Sequence, residues 1–128
     1  HFSADSIQQI HDAIRDHSFS RGATPTAPLG RALQDADRLE ALGAIGILRC
    51  AATGGTMGAS LFHDEDPWAS NRALDDRQYS IDHFFKKLLT LPNTMTTNKA
   101  KALAEKRCVI LQQLLDALAE ELGVPRTR

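Results

Sequence analysis

Cysteine is scarce in this chain: Cys50 and Cys108 stand far apart in 128 residues and fall in different helical patterns. They form neither a disulfide framework nor a Cys-x-x-Cys metal knuckle, and they read as reduced core thiols of a cytosolic protein. An excess of positive charge is also lacking. With 15 Lys and Arg against 16 Asp and Glu, a mainly electrostatic nucleic-acid binder is disfavoured, and only a local basic patch remains open. No apolar run approaches the roughly 20 residues that span a bilayer, and no basic-then-apolar leader opens the chain, so nothing points to a membrane. The glycines at Gly54, Gly55 and Gly58 are not followed by Gly-Lys-Ser/Thr, which excludes a P-loop, and no Gly-x-Ser-x-Gly elbow occurs. Alternation of β-branched residues and internal repeats are likewise missing. What is present, 42% hydrophobic and 24% charged residues in 14.0 kDa, describes one soluble domain over residues 1–128. The chain opens on His1 and its methionines, Met57 and Met95, are internal, which reads as a processed or tagged product or a fragment.

Four helical patterns follow one another. Ile7, Ile10 and Ile14 recur at spacings of three and four behind Ser3, a ready N-cap, and predict an amphipathic helix from Ser3 to Asp16. Thr26 and Pro28 start a second, long pattern of Leu29, Leu33, Ala36, Leu39, Leu42, Ile45 and Leu48 that continues to about Thr53. Gly43 and Gly46 interrupt it, and such glycines mark either a close helix approach or a break. The stretch from Ala41 to Leu48 is apolar all round and is expected to be buried. Residues 63 to 77 are polar and aperiodic and read as a long surface loop. A third helix is predicted from about Arg77 to Leu91, with Pro92 just beyond it. The fourth starts at Thr96 or Thr97, carries Leu103, Val109, Ile110, Leu114, Leu118 and Leu122, and ends at Gly123. The class is all-α.

Several residues could carry chemistry. The adjacent His11-Asp12 pair suggests a metal device, yet His17 lies six residues on, about 240° round the helix, and cannot close on the same ion. A surface pair is the better reading. Within Asp35-Ala36-Asp37-Arg38-Leu39-Glu40, the two aspartates point to nearly opposite sides of a helix, so at most one can ligate a metal while the other supports it or pairs with an arginine. His83 and Lys87, four residues apart, could offer a proton donor and a cation to a phosphoryl oxygen. The ordinary alternative is a packing histidine beside a solvated lysine. Lys99, Lys101, Lys106 and Arg107 give the last helix a basic first half, either a solvated face or an attraction for an anion. Trp68 offers a stacking surface in the loop or, as is commoner, anchors it to the core.

His17-Ser18-Phe19-Ser20, the block from Gln34 to Gly46, Asp82-His83-Phe84, Lys87-Leu88-Leu89 and Thr94-Met95-Thr96 together resemble the C-terminal two thirds of a bacterial HD-domain phosphohydrolase. The chain is similar to the YedJ-like branch of that family, from about Ile7 to Leu122. The resemblance implies an HD-domain-like helical bundle, here apparently lacking its N-terminal helices. It also implies a site for one or two divalent ions (Mn, Mg, Fe, Ni or Co), built from an early histidine, a His-Asp dyad and a distal aspartate. That aspartate, in an Ala-Asp-x-Leu pattern, falls on Asp37, with Asp35 supporting it. Arg38 and Lys87 match positions facing substrate phosphates, and His17 and His83 match histidines at the cleft. The early histidine and the dyad belong to a segment upstream of the first helix, so one of four expected ligands is present. Exposed core faces, self-association or partial disorder are the expected consequence.

The leading expectation is therefore a cytoplasmic metal-dependent phosphohydrolase acting through metal-activated water on a nucleotide or related phosphoester, with this chain an incomplete, inactive portion. Its partner would be a phosphorylated small molecule. The rival is a non-catalytic helical interaction module in which Asp35 and Asp37 merely pair with Arg31 and Arg38. Nucleic-acid contact through the basic half of the last helix ranks third, because no aromatic platform accompanies it.

Overall fold

Ser3 accepts a hydrogen bond from the Ser6 amide (3.1 Å) and starts α1, Ala4–Asp16, as its position predicts. The computed structural model describes residues 1–128, and four further helices follow: α2 (Pro28–Glu40), α3 (Gly43–Thr56), α4 (Ser80–Lys86) and α5 (Asn98–Leu122). Short 3₁₀ segments occupy Phe19–Arg21 and Leu88–Thr94. No strand forms; one isolated bridge joins Ser60 and Tyr79. No helix is long and apolar enough to cross a membrane.

The long second pattern divides in two. Ala41 ends α2, Leu42 is extended, and Gly43 takes φ 72°, a value that glycine alone adopts without steric cost. A Cβ on Gly46 would lie 2.2 Å from the Ala41 carbonyl oxygen, so the second glycine admits the close approach of α3 to the end of α2. Both meanings of these glycines are realised, one at each. The expected burial of the whole Ala41 to Leu48 run is not: Leu42, Gly43 and Gly46 turn inward, whereas Ile45 (68% exposed) and Leu48 (69%) face outward. The break at Gly43 reorients α3 so that only one of its faces meets the core.

The third helix is shorter than its pattern. Lys87 leaves helical geometry (φ −135°, ψ −60°), and the chain continues as the 3₁₀ segment with Pro92 inside it. Residues 63 to 77 are also less superficial than their polarity suggests. Pro67, Trp68 and Ala69 are buried, the Trp68 indole donates to the Val124 carbonyl (3.0 Å), and its ring meets Phe85 edge-on. Asp66 accepts from the Ser70 and Asn71 amides (2.8 and 2.9 Å), which hold its carboxyl below the usual carboxylate range. Trp68 is an anchor.

α5 begins at Thr97, whose Oγ1 accepts from the Ala100 amide (3.2 Å), and ends at Gly123 with φ 63°. Its Ala104, Cys108, Leu111 and Leu115 meet Leu42, Trp68, Ile81, Phe84, Leu88 and Leu91 in the main core. Cys108 is thus the core thiol expected, while Cys50 is half-buried on α3. Helix α1 packs chiefly on α2, where Gly30 lets Ala13 and Pro25 approach, and Ile7 and Ile14 are more than half exposed.

One ionic cluster sits inside. Asp82 is fully buried and accepts from both Arg72 guanidinium nitrogens (2.5 and 2.9 Å) and from the Asp75 amide (2.7 Å), fastening the loop to α4. Hydrogen bonding to Asp82 raises the Arg72 pKa, and the guanidinium also lies over the Tyr79 ring. Removing one member of a buried pair leaves the other uncompensated. Asp82→Ala is expected to lower stability by about 3 kcal/mol in urea unfolding at neutral pH.

Candidate functional site

Helix α2 presents its charged residues to two sides. Asp35 is buried and accepts from the Thr96 amide (2.7 Å), the Thr97 amide (3.0 Å) and the Thr97 hydroxyl (2.8 Å). One turn on, Arg38 is also buried and donates to the Thr94 carbonyl. Burial pushes its guanidinium downward against the opposing pull of Asp35 and Asp37, and its Nε finds no partner. Asp37 lies between them in sequence and points away, into solvent. The opposite-sides expectation for Asp35 and Asp37 therefore holds, but Asp35 braces the start of α5 rather than Asp37. Arg38 is turned into the fold and does not face the cleft.

Asp37 opens on a cleft of about 460 Å³ lined by Ser18, Phe19, Ser20, Asp76, Lys86 and Lys87. Phe19 organises the cations: Arg38 and Lys87 approach its ring at 5.7 and 4.8 Å from the centroid. On the far wall, Asp76 accepts from His83 Nδ1 (2.9 Å) and from Lys86 Nζ (2.6 Å). An ionised carboxylate only accepts, so His83 donates through Nδ1–H and its Nε2 is left without an internal partner. The hydrogen bond from Lys86, aided by that from His83 and opposed by burial, holds the Asp76 carboxyl below its ordinary range.

A second cleft, about 470 Å³, lies between α3 and α4 and shares Asp76, Lys86 and Lys87 with the first. His83 lines it together with Arg49, Cys50, Gly54, Arg77 and Ser80. Asp37 and His83 therefore line different clefts, which meet at Asp76, Lys86 and Lys87. His17 is placed differently: its Nδ1 donates to the Ile14 carbonyl (2.6 Å) at the end of α1, and the neighbouring Ser18 and Ser20 line the cleft instead. His11 pairs loosely with Asp12 (3.6 Å) at the surface, as read from the sequence. Arg107, grouped above with a basic face of α5, donates to the Leu39 carbonyl (2.6 Å).

Asp76 escaped sequence reasoning. It lies seven residues before His83, in the turn ahead of α4, where no helical period connects the two. The doublet Asp75-Asp76 just before a helix start is the signal that could have exposed it. As to a metal, no three His, Cys, Asp or Glu side chains gather closely enough to hold an ion. The exposed Asp37 carboxylate fits one corner of a divalent-cation site and not a whole one.

No protein-family model matches the chain. It is 37% identical over 123 residues to YpgQ of Bacillus subtilis (strain 168), an uncharacterized protein, covering 94% of this chain and 53% of the relative. Crystal structures of YpgQ are similar, one at a TM-score of 0.77 with 31% identity, covering 94% of this chain and 58% of the other. A complex of YpgQ with ADP aligns at 0.73 and 29%, covering 94% and 54%. An HD-superfamily hydrolase from Bacillus thuringiensis aligns at 0.71 and 31%, covering 98% and 57%. The chain spans little more than half the length of these relatives, and its fold is an all-helical, HD-like bundle.

Because the Asp76 carboxyl is held low, its contribution to stability is present above the ordinary carboxylate range and is lost as pH falls through the lowered value. Asp76→Asn is expected to reduce stability at neutral pH by at most about 1 kcal/mol, since Lys86 is half exposed. The gap between the two proteins should narrow progressively as the pH is taken below the ordinary carboxylate range, as followed by thermal unfolding across pH.

Proposed function

We propose that this chain carries the substrate-facing part of a cytoplasmic, metal-dependent phosphohydrolase of the HD type, in the YedJ-like branch, acting on a nucleotide or a related phosphoester. The observation that carries the reading is the position of Asp37, free of internal partners, across one cleft from Lys86, Lys87 and Asp76, whose partner His83 lines the adjoining cleft. The ADP bound by YpgQ and the hydrolase assignment of the Bacillus thuringiensis neighbour lend support.

In this reading Lys87, fixed against Phe19, meets a phosphate oxygen, while Ser18 and Ser20 supply hydroxyls to the same group. His83, oriented by Asp76, exchanges a proton at Nε2. Asp37 would give one ligand to a divalent ion. Such an ion, when bound, supplies Lewis acidity toward a phosphoryl oxygen and an acidified water. Asp35 supports the site through the backbone that it clamps, and Arg38 reaches substrate only if its bond to Thr94 opens. His17 keeps a place beside the serines, its Nε2 free for a water or phosphate.

A non-catalytic interaction module is favoured by a different observation, the exposed Ile7, Ile14, Ile45 and Leu48. Phosphate release from nucleoside mono-, di- and triphosphates with added Mn²⁺ or Mg²⁺ separates the two readings. Any turnover is expected to fall at least about 100-fold in Asp37→Ala, with stability within about 0.5 kcal/mol of the parent because the side chain is exposed. Turnover untouched by Asp37→Ala would sink the phosphohydrolase reading.

A further inference from the structure

The α3–α4 cleft has a charge balance unlike the rest of the molecule. Four cations, Arg49, Arg77, Lys86 and Lys87, line it against a single carboxylate, Asp76, whereas the chain as a whole is slightly negative. Arg49 is paired with Glu40 (3.1 Å) and Lys86 with Asp76 (2.6 Å), but Arg77 and Lys87 belong to no ion pair. Cations facing each other across a concave surface focus a positive potential that a small anion relieves.

The floor offers a second, independent sign. Ser80 is 5% exposed, and its hydroxyl has no hydrogen-bond partner. It packs on Gly54, where a Cβ would lie 2.2 Å from Oγ, while the Ser80 carbonyl accepts from the Cys50 thiol (3.6 Å). Buried hydroxyls are ordinarily satisfied. This one lies sealed beneath the floor against Gly54, and a ligand oxygen reaches it once the Ser80–Gly54 contact opens.

We infer that the cleft between α3 and α4 binds the phosphate or pyrophosphate portion of a phosphorylated small molecule, held by Arg49, Arg77 and Lys86 above Ser80. The inference rests on the proposed function only in taking the ligand to be phosphorylated. Because the two clefts meet at Asp76, Lys86 and Lys87, one ligand can run from the Asp37 side to the Arg77 side. Arg49 and Arg77 then bind charge remote from the reacting phosphorus.

The test is an amide NMR titration of the 128-residue chain with inorganic pyrophosphate in EDTA at low salt, with adenosine as the uncharged control. Pyrophosphate should shift the Thr53, Gly54, Arg77 and Ser80 amides saturably, and adenosine should not. The combined Arg49→Ala, Arg77→Ala variant should weaken binding at least about tenfold, as should about 0.5 M salt. Lys101→Ala, on the exposed face of α5, should leave binding unchanged. Pyrophosphate shifts confined to Ser18, Ser20 and Asp37, or absent altogether, would overturn the inference even where turnover depends on Asp37. Shifts at the α3–α4 cleft with turnover indifferent to Asp37→Ala would uphold it and overturn the phosphohydrolase reading alone.

Discussion

A single buried carboxylate, Asp35, joins parts of the chain 61 and 62 residues apart by taking the Thr96 and Thr97 amides and the Thr97 hydroxyl. Those amides stand at the entry to α5, so Asp35 settles donors that the helix start leaves unpaired and at the same time fixes the height of α2 against the central helix. Arg38 adds a strap one turn later at Thr94, and Arg107 returns the contact from α5 to Leu39. With Asp35 and Arg38 turned inward, helix geometry leaves Asp37 facing out, beside the Ser18 to Ser20 turn. The cleft exists where it does because α2 is clamped on its other side.

A similar division of labour recurs at α4. Asp82 and Arg72 hold the preceding loop in the interior, and this brings the next aspartate pair to the head of the helix, where Asp76 meets His83 and Lys86. Burying the first pair is costly unless every lone pair is matched, and the Asp75 amide supplies a third donor. The exposed ion pairs around Asp76 contribute little to stability and leave His83 oriented. Structural charge is spent inside the fold, and chemically accessible charge stays at the rim shared by the two clefts.

The helices were legible because their signals are local. Ser3, Pro28, Thr97 and Gly123 each act within a turn of their own position, and they mark the ends of α1, α2 and α5 correctly. The break at Gly43 was readable as a possibility, but the fate of Ile45 and Leu48 was not, because an apolar run does not say how many neighbours surround it. For the site, spacing separated Asp35 from Asp37, yet which of them faced inward depended on Thr96 and Thr97, far along the chain. The place of Asp76 beside His83 is likewise tertiary. It follows from the path of a loop whose polar surface concealed a buried tryptophan.

That tryptophan has a spectroscopic meaning. Trp68 is the only indole in the chain, sealed from water at 1% exposure, hydrogen-bonded to Val124 and edge-on to Phe85. Nearby, Ser70 and Thr127 hydroxyls meet at 2.6 Å, and Arg128 donates to the Ala69 carbonyl (2.8 Å), so the residues after α5 are stitched onto the loop. The intrinsic fluorescence of the protein is accordingly a gauge of this clasp. A blue-shifted emission reports that the loop and the segment after α5 are together, and its loss dates their parting, whatever α1, packed on α2, is doing.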